Sequence, residues 1–237
     1  MTESKKAANY KDFKFCKLNT DEFRHLKLLL YWPLFGLMFL FAERIYKAPE
    51  YYSVYCFLDD AVPFCEFFLI PYLFWFVYLV GALFYTLLTD TSAFRKMMWF
   101  IIITYTISII IYLLFPTCQQ LRPESFMRDN VFTRFLMYFY KFDTNTNVCP
   151  SIHVIGSASA MLALLGTDKF STLSRKTAVI ITALLICAST VFLKQHSVID
   201  IIAAVPVCII GYILCYSKTF SLQALRRNRR SSASGSN

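Results

Sequence analysis

The sequence predicts an all-α integral membrane protein, a bundle of six transmembrane helices. The first observation is composition: 57% of the 237 residues are hydrophobic, whereas a soluble domain averages about 45–50% apolar residues. The second is that these residues gather in six long runs. The third is that Lys and Arg are distributed unequally between the loops on the two sides. These observations argue against a soluble globular enzyme and against a disordered chain.

Each apolar run is interpreted as one membrane-crossing helix of about 20 residues. In chain order the runs cover residues 27–45, 66–88, 97–116, 152–167, 177–193 and 198–217. The fourth is shorter than a usual span and rich in Gly, Ala and Ser, which allows neighbouring helices to approach closely. We therefore expect a basic cytoplasmic segment at 1–26, a six-helix membrane domain at 27–217 and a basic disordered cytoplasmic tail at 218–237.

The loop between the third and fourth spans predicts an amphipathic interfacial helix. Between residues 126 and 142, apolar side chains recur every three to four positions. They are Phe126, Met127, Val131, Phe132, Phe135, Leu136, Phe139 and Phe142. A helix with this spacing presents one apolar face to the membrane surface. This helix either covers the bundle or acts as a gate through which a lipid enters sideways.

The charges of the loops predict the orientation in the membrane. With both termini in the cytoplasm, 17 of the 24 Lys and Arg residues lie on the cytoplasmic side and 7 on the outer side, as the positive-inside rule requires. The net charge of +9 is thus a topology signal, and no nucleic-acid partner is expected. The cluster at residues 226–230 either contacts anionic lipid headgroups or belongs to a solvated tail. Because the sequence has no Asn-x-Ser/Thr site, we expect a bacterial cell membrane.

Eight cysteines are present, without any Cys-x-x-Cys spacing, so a zinc or redox motif is not expected. Cys118 and Cys149 bracket the long outer loop. These two cysteines either form a disulfide, if the compartment is oxidising, or remain free thiols.

His196 and Asp200 are one helical turn apart at the predicted outer end of the last span. A carboxylate in this position accepts a hydrogen bond from one ring nitrogen and leaves the other nitrogen as a nucleophile. The alternative is a structural pair at the start of a helix, with Asp200 close to the positive end of the helix dipole. The pattern alone does not distinguish the two.

His153 ends the sequence CPSIH, residues 149–153, at the start of the fourth span. Ser151 is placed to cap that helix, so that backbone amides point outward toward an anion. Arg122 lies in the same outer loop. It is either a clamp for a phosphate or a solvated cation.

Together these residues resemble the type-2 phosphatidate phosphatase superfamily of membrane lipid phosphatases and phosphotransferases. That family has three motifs in order: Lys-x6-Arg-Pro, Pro-Ser-Gly-His and Ser-Arg-x5-His-x3-Asp. The corresponding residues are Phe115, Arg122 and Pro123; Pro150, Ser151, Ile152 and His153; and Ser189, Thr190, His196 and Asp200. The resemblance covers about residues 110–217. Phe115, Ile152 and Thr190 replace Lys, Gly and Arg, so two of the three phosphate-binding cations of the family are missing.

The resemblance implies that His196 attacks phosphorus, that Asp200 orients it and that His153 protonates the leaving group. The residues implied to hold the phosphate are Arg122, Ser151, Ile152 and Lys194, the last being the nearest replacement for a missing cation. The implied protein is a membrane phosphatase that acts on a lipid phosphate, such as phosphatidate or a prenyl diphosphate. It would use a phosphohistidine and neither a metal nor another cofactor, with its active site on the extracytoplasmic face.

Its expected partners are the phosphorylated lipid and the surrounding membrane lipids, with the oligomeric state left open. One alternative is a head-group phosphotransferase of the inositol phosphorylceramide or sphingomyelin synthase kind. Another is a non-catalytic relative that binds lipid. A divalent metal on His153, His196 and Asp200 is a weaker alternative, because it would place a second cation beside Arg122.

Overall fold

The computed structural model describes residues 8–217. Residues 1–7 and the predicted tail 218–237, with its basic cluster at 226–230, lie outside the described residues.

The described chain is mostly helical and begins with short 3-10 helices at Tyr10–Asp12, Phe15–Asn19 and Arg24–Leu30, followed by α1 (Tyr31–Leu40) and a π-helical turn (Phe41–Ile45). The remaining elements are β1 (Tyr52–Ser53), α2 (Leu58–Ala61), a 3-10 turn (Glu66–Phe68), α3 (Leu69–Thr89), α4 (Thr91–Leu114), β2 (Thr117–Cys118), α5 (Val131–Phe142), α6 (Ile152–Leu165), a 3-10 turn (Asp168–Phe170), α7 (Leu173–Phe192) and α8 (Val198–Cys215).

Within residues 8–217, five helical runs are long and apolar enough to cross a membrane. They are Arg24–Ile45, Glu66–Thr89, Thr91–Leu114, Leu173–Phe192 and Val198–Cys215. These runs confirm the prediction of an all-α, membrane-embedded protein. The fourth predicted span is the 14-residue helix α6. At 1.5 Å per residue it is about 21 Å long, shorter than the roughly 30 Å apolar core of a bilayer.

Part of the N-terminal segment packs against the helices that follow it. The first helical run already begins at Arg24, and the side chains of Phe23 and His25 are buried. The Tyr10 hydroxyl lies 2.8 Å from Nε2 of His25 and donates to the carbonyl of Leu87 at 2.8 Å. Part of the predicted cytoplasmic segment is therefore anchored to the end of α3.

Helix α6 lies at the centre of the bundle, in contact with α3, α4, α7 and α8. Its buried positions are mostly small residues, namely Gly156, Ser157, Ser159, Ala160 and Ala163. A Cβ added to Gly156 would lie 2.6 Å from the hydroxyl of Tyr105 and 3.0 Å from the ring of Trp75. The small residues predicted to allow close packing therefore allow the central helix to be surrounded on several sides.

A helix, α5, forms within the segment predicted as amphipathic, although it begins at Val131 and not near residue 126. Asn130 and Thr133 form a reciprocal capping box at its start, which satisfies amides that have no partner inside the helix. Leu136 is fully buried against the bundle, whereas Val131 and Tyr138 are exposed. One face of the helix therefore covers the bundle and the other is left uncovered.

A short parallel pairing joins residues 46–65 and 117–151, the two loops that the sequence predicts on the outer side, called the outer loops below. Tyr52 and Ser53 of β1 pair with Thr117 and Cys118 of β2, and the amide of Val54 donates to the carbonyl of Cys118 at 2.8 Å. The pairing holds residues 46–65 beside residues 117–151. Both loops can thereby supply contacts to the first turns of α6 and α8.

We expect Gly156→Ala to destabilise the bundle by about 1–3 kcal/mol, because the new methyl group overlaps Tyr105 and Trp75 in a closely packed core. The measurement is the thermal unfolding midpoint in detergent. Gly81→Ala is the matched control, since a Cβ there meets no atom of the described residues within 4 Å. Equal midpoints for the two variants would contradict the close packing around α6.

Candidate functional site

The predicted pair of His196 and Asp200 forms at the start of α8. Nδ1 of His196 lies 3.0 Å from Oδ2 of Asp200, and the same oxygen accepts a hydrogen bond from the amide of Ser197 at 3.0 Å. Asp200 is fully buried. Because an ionised carboxylate only accepts hydrogen bonds, it holds the proton on Nδ1 and leaves the lone pair on Nε2. Asp200 thus caps the helix and accepts a hydrogen bond from the ring, the geometry that both interpretations of the sequence require.

His153 lies in the first turn of α6, against two aromatic rings of α3. Its ring is stacked on Tyr72, with centroids 4.6 Å apart, and is tilted against Trp75 at 4.4 Å. The ring of His196 meets it edge-on at 5.7 Å. The structure therefore brings the two predicted histidines together, and aromatic contacts fix the orientation of one of them.

Hydrogen bonds tie the segment before α6 to its neighbours. The Tyr112 hydroxyl donates to the carbonyl of Pro150 at 2.6 Å, and the amide of Ser151 donates to the carbonyl of Asp200 at 3.2 Å. The start of α6 is therefore connected to both α4 and α8. This connection places the turn that carries His153 beside the turn that carries His196.

Ser151 stands at the N-cap position of α6, as predicted, but its hydroxyl makes no capping hydrogen bond. Its Oγ atom is buried and has no partner among residues 8–217. The amides of the first turn, from Ile152 onward, have no acceptor inside the helix by the geometry of helix starts. The start of α6 thus offers several donors to a ligand.

Arg122 lies beside these elements, with most of its guanidinium donors occupied. Nη1 donates to the carbonyls of Tyr140 and Asp143 at 3.1 and 2.9 Å. Nη2 donates to the carbonyl of Thr144 at 2.9 Å and to Oε1 of Gln195 at 2.5 Å. Burial lowers the pKa of the guanidinium. Its Nε atom is buried and lacks a partner in the described chain, so this nitrogen is the donor left for a ligand.

Lys194, the predicted replacement for a missing cation, is bound to the first outer loop. Its Nζ atom donates to the carbonyls of Asp59 and Val62 at 2.6 and 2.5 Å. Its backbone has a φ of 52°, a left-handed conformation that few residues other than glycine adopt. The structure gives this ammonium group a cross-linking role between two loops.

Two of the three departures from the motifs, Phe115 and Thr190, do not supply a polar side-chain group to the site. Phe115 directly follows α4 and is 61% exposed. The hydroxyl of Thr190 donates to the carbonyl of Cys187 at 2.8 Å within α7.

Asp59 is a buried residue of the site to which the sequence assigns no role. Its carboxylate accepts hydrogen bonds from the amide of Cys56 at 2.8 Å, from the hydroxyl of Ser197 at 2.6 Å and from the amide of Val198 at 2.8 Å. It therefore clamps the start of α8 from a loop far away in the chain. In the sequence Asp59 is marked only by the adjacent Asp60, and such a pair alone does not identify a contact.

Asp143, whose side chain is 40% exposed, is a second residue of the site to which the sequence assigns no role. Its Oδ2 atom lies 3.9 Å from Nη2 of Arg122. Burial raises the pKa of its carboxyl group, while the charges of Arg122 and His196 lower it. A carboxylate thus accompanies the guanidinium of Arg122 and reduces the positive charge that it offers to an anionic ligand.

Among residues 8–217, no three His, Cys, Asp or Glu side chains form a group that could hold a metal ion. A cavity of about 660 Å³ lies between the outer loops. Asp59 and Lys194 contribute to its lining, whereas His153 and His196 do not.

No protein-family model, curated protein or solved structure matches the chain. The chemistry of the site is therefore inferred from the residues that form it.

We expect Asp59→Ala to destabilise the protein by at least about 2 kcal/mol, because it leaves the buried Ser197 hydroxyl and Val198 amide without an acceptor. Thermal unfolding in detergent measures the effect. The control is Asp60→Ala, which removes an exposed carboxylate whose partner is the Tyr55 hydroxyl. A midpoint as high as that of the control would show that Asp59 does not hold α8.

Cys118 and Cys149 are both free thiols. Burial, with a smaller effect from Asp200, raises the pKa of Cys149 to about 12. We therefore expect its alkylation by iodoacetamide to rise about tenfold per pH unit from pH 7 to 10 without levelling off, because the thiolate is the reactive form. Mass spectrometry of each modified cysteine measures the rate, with exposed Cys16 as the reference. A plateau below pH 10 would contradict the raised pKa.

Proposed function

We propose that the protein is an integral membrane enzyme that removes phosphate from a phosphorylated lipid through a phosphohistidine on His196. The observation that carries the proposal is the hydrogen bond between His196 and buried Asp200, with the His153 ring 5.7 Å away. A histidine oriented by a carboxylate presents a nucleophilic nitrogen, and a second histidine supplies a proton. The resemblance of the three motifs to the lipid phosphatase superfamily supports the same assignment.

In the first step, the lone pair on Nε2 of His196 attacks phosphorus, and the bond between phosphorus and the lipid oxygen breaks. His153, in its protonated form, gives its proton to the departing alkoxide, so that the lipid leaves as a neutral alcohol. Asp200 stabilises the positive imidazolium that carries the phosphoryl group. In the second step, water attacks phosphorus and loses a proton to His153. The phosphorus–nitrogen bond breaks, and both histidines return to their starting forms.

The phosphoryl oxygens would lie against the first turn of α6. The donors proposed there are the amides from Ile152 onward, the hydroxyl of Ser151 and Nε of Arg122. A helix start favours an anion through its unsatisfied amides and its dipole. No metal or other cofactor enters the proposed steps.

We also propose how α5, α6 and the two termini are placed relative to the membrane. Helix α6 would be the remaining span, made short because the segment before it, which Tyr112 and Asp200 hold by hydrogen bonds, belongs to the site. Helix α5 would lie at the surface, with its exposed Val131 and Tyr138 toward the lipid. The unequal loop charges support cytoplasmic termini and an extracytoplasmic site, and the lack of an Asn-x-Ser/Thr site agrees with a bacterial cell membrane.

A head-group phosphotransferase is the second candidate, and the shortage of available cations favours it. Lys194 is bound to two carbonyls, and Arg122 is accompanied by Asp143. A phosphodiester donor carries one negative charge, whereas a phosphomonoester carries up to two. In this reaction the hydroxyl of a second lipid would replace water in the second step.

We expect phosphate release from short-chain phosphatidate to persist in EDTA and to fall at least about 10³-fold in His196→Ala, because the nucleophile is removed. Released phosphate is measured in detergent, and a radiolabelled substrate traps the acid-labile phosphohistidine. Asp60→Ala is the control for an outer-loop substitution away from the histidines.

A labelled lipid alcohol, supplied as acceptor, distinguishes the two candidates. Formation of a labelled lipid product without free phosphate would show that the protein is the phosphotransferase and not the phosphatase. Activity that is unchanged in His196→Ala would overturn both. The absence of any product from phosphatidate, lysophosphatidate, a prenyl diphosphate, a sphingolipid phosphate and phosphodiester donors would favour a non-catalytic, lipid-binding relative.

A further inference from the structure

We propose that Gln195 is a substrate-binding residue whose side-chain amide donates a hydrogen bond to a phosphoryl oxygen. The proposal rests on the proposed phosphoryl chemistry at His196. It assigns to a neutral side chain part of the role that the resemblance gives to cations at the positions of Phe115 and Thr190.

The first observation is a buried donor without an acceptor. Gln195 is 2% exposed, and its Nε2 atom has no hydrogen-bond partner in the part of the chain that the structure describes. Buried polar groups in folded proteins are nearly always paired, and an unpaired amide destabilises the fold. A ligand oxygen that completes the pairing would explain why this residue is a glutamine.

The second observation is that the direction of this amide group is determined. Oε1 of Gln195 accepts a hydrogen bond from Nη2 of Arg122 at 2.5 Å. A guanidinium only donates, so the oxygen of the amide faces Arg122 and the nitrogen faces away from it. Arg122 is itself held by the carbonyls of Tyr140, Asp143 and Thr144. The loop that contains Arg122 thus orients the donor of Gln195 before any ligand binds.

The third observation is the position of Gln195 beside the proposed nucleophile. It directly precedes His196, and the amides of both residues donate to the carbonyl of Thr190, at 2.9 and 3.1 Å. Other atoms of the site are also buried and unpaired within residues 8–217, namely Nε of Arg122, Oγ of Ser151, Nδ1 of His153 and Oδ1 of Asp200. Of these unpaired atoms, Nε of Arg122 and Nε2 of Gln195 can only donate a hydrogen bond, and the serine hydroxyl can also donate one. A phosphoryl group supplies several acceptor oxygens at once.

The test uses Gln195→Glu, which keeps an oxygen for Arg122 but replaces the donor nitrogen by a second oxygen. A purely structural glutamine predicts that this variant folds, because its charge strengthens the contact with Arg122, and that neutral Gln195→Met, which adds no charge to repel an anion, binds anions normally. Our proposal predicts at least tenfold weaker binding of orthovanadate and of inorganic phosphate by both variants. It also predicts that kcat/KM falls by about 10²–10³-fold, the usual cost of losing one such donor. Thermal unfolding in detergent establishes that each variant is folded.

Gln120→Glu is the matched control, because it makes the same change of charge at an exposed glutamine of the neighbouring loop. Equal loss in Gln195→Glu and Gln120→Glu, or vanadate binding that is unchanged in Gln195→Glu or in Gln195→Met, would overturn the proposal. Gln195→Met, which is neutral and similar in length, provides the test if the glutamate variant does not fold. Failure of both variants to fold would assign Gln195 a structural role and also overturn the proposal.

Anion binding separates this inference from the proposed function. A wild-type protein that forms no phosphohistidine and releases no phosphate would contradict the proposed reaction. Vanadate and phosphate binding by the wild type, lost in Gln195→Glu and in Gln195→Met, would still support the role of Gln195 under that result.

Discussion

The buried carboxylate of Asp200 is the group on which the geometry of the site depends. One oxygen accepts hydrogen bonds from the ring of His196 and from the amide of Ser197, and the backbone carbonyl of the same residue accepts from the amide of Ser151. A single residue therefore connects the cap of α8, the orientation of one histidine and the start of the helix that carries the other. Burial strengthens these contacts, since water does not compete for the carboxylate.

The cations near the site illustrate how an apolar environment constrains charged side chains. Arg122 donates to three backbone carbonyls, and Lys194 donates to two. Irregular loops packed on a membrane bundle contain carbonyls that cannot remain unpaired, and long cationic side chains satisfy them. The number of Lys and Arg residues in a loop therefore overestimates the positive charge offered to a ligand, and neutral donors such as Gln195 gain importance.

Local patterns predicted several features because the interacting residues are close in the chain. The pairing of His196 with Asp200 follows from a spacing of four residues on a helix. The amphipathic character of α5 and the small residues of α6 are likewise visible as periodicity and composition. The start of α5 was less predictable: apolar spacing begins near Phe126, but the capping box at Asn130 and Thr133 determines where the helix begins.

The sequence by itself determined the all-α membrane class, most of the span boundaries and the pairing of residues one helical turn apart, because each depends on composition or on neighbours along the chain. Only the tertiary structure decided which distant groups meet. Asp59 reaches Ser197 across 138 positions, and Arg122 reaches Gln195 across 73. The aromatic rings of α3 likewise position His153 through packing. Such contacts arise from the arrangement of helices and loops in space, and no local period in the sequence encodes them.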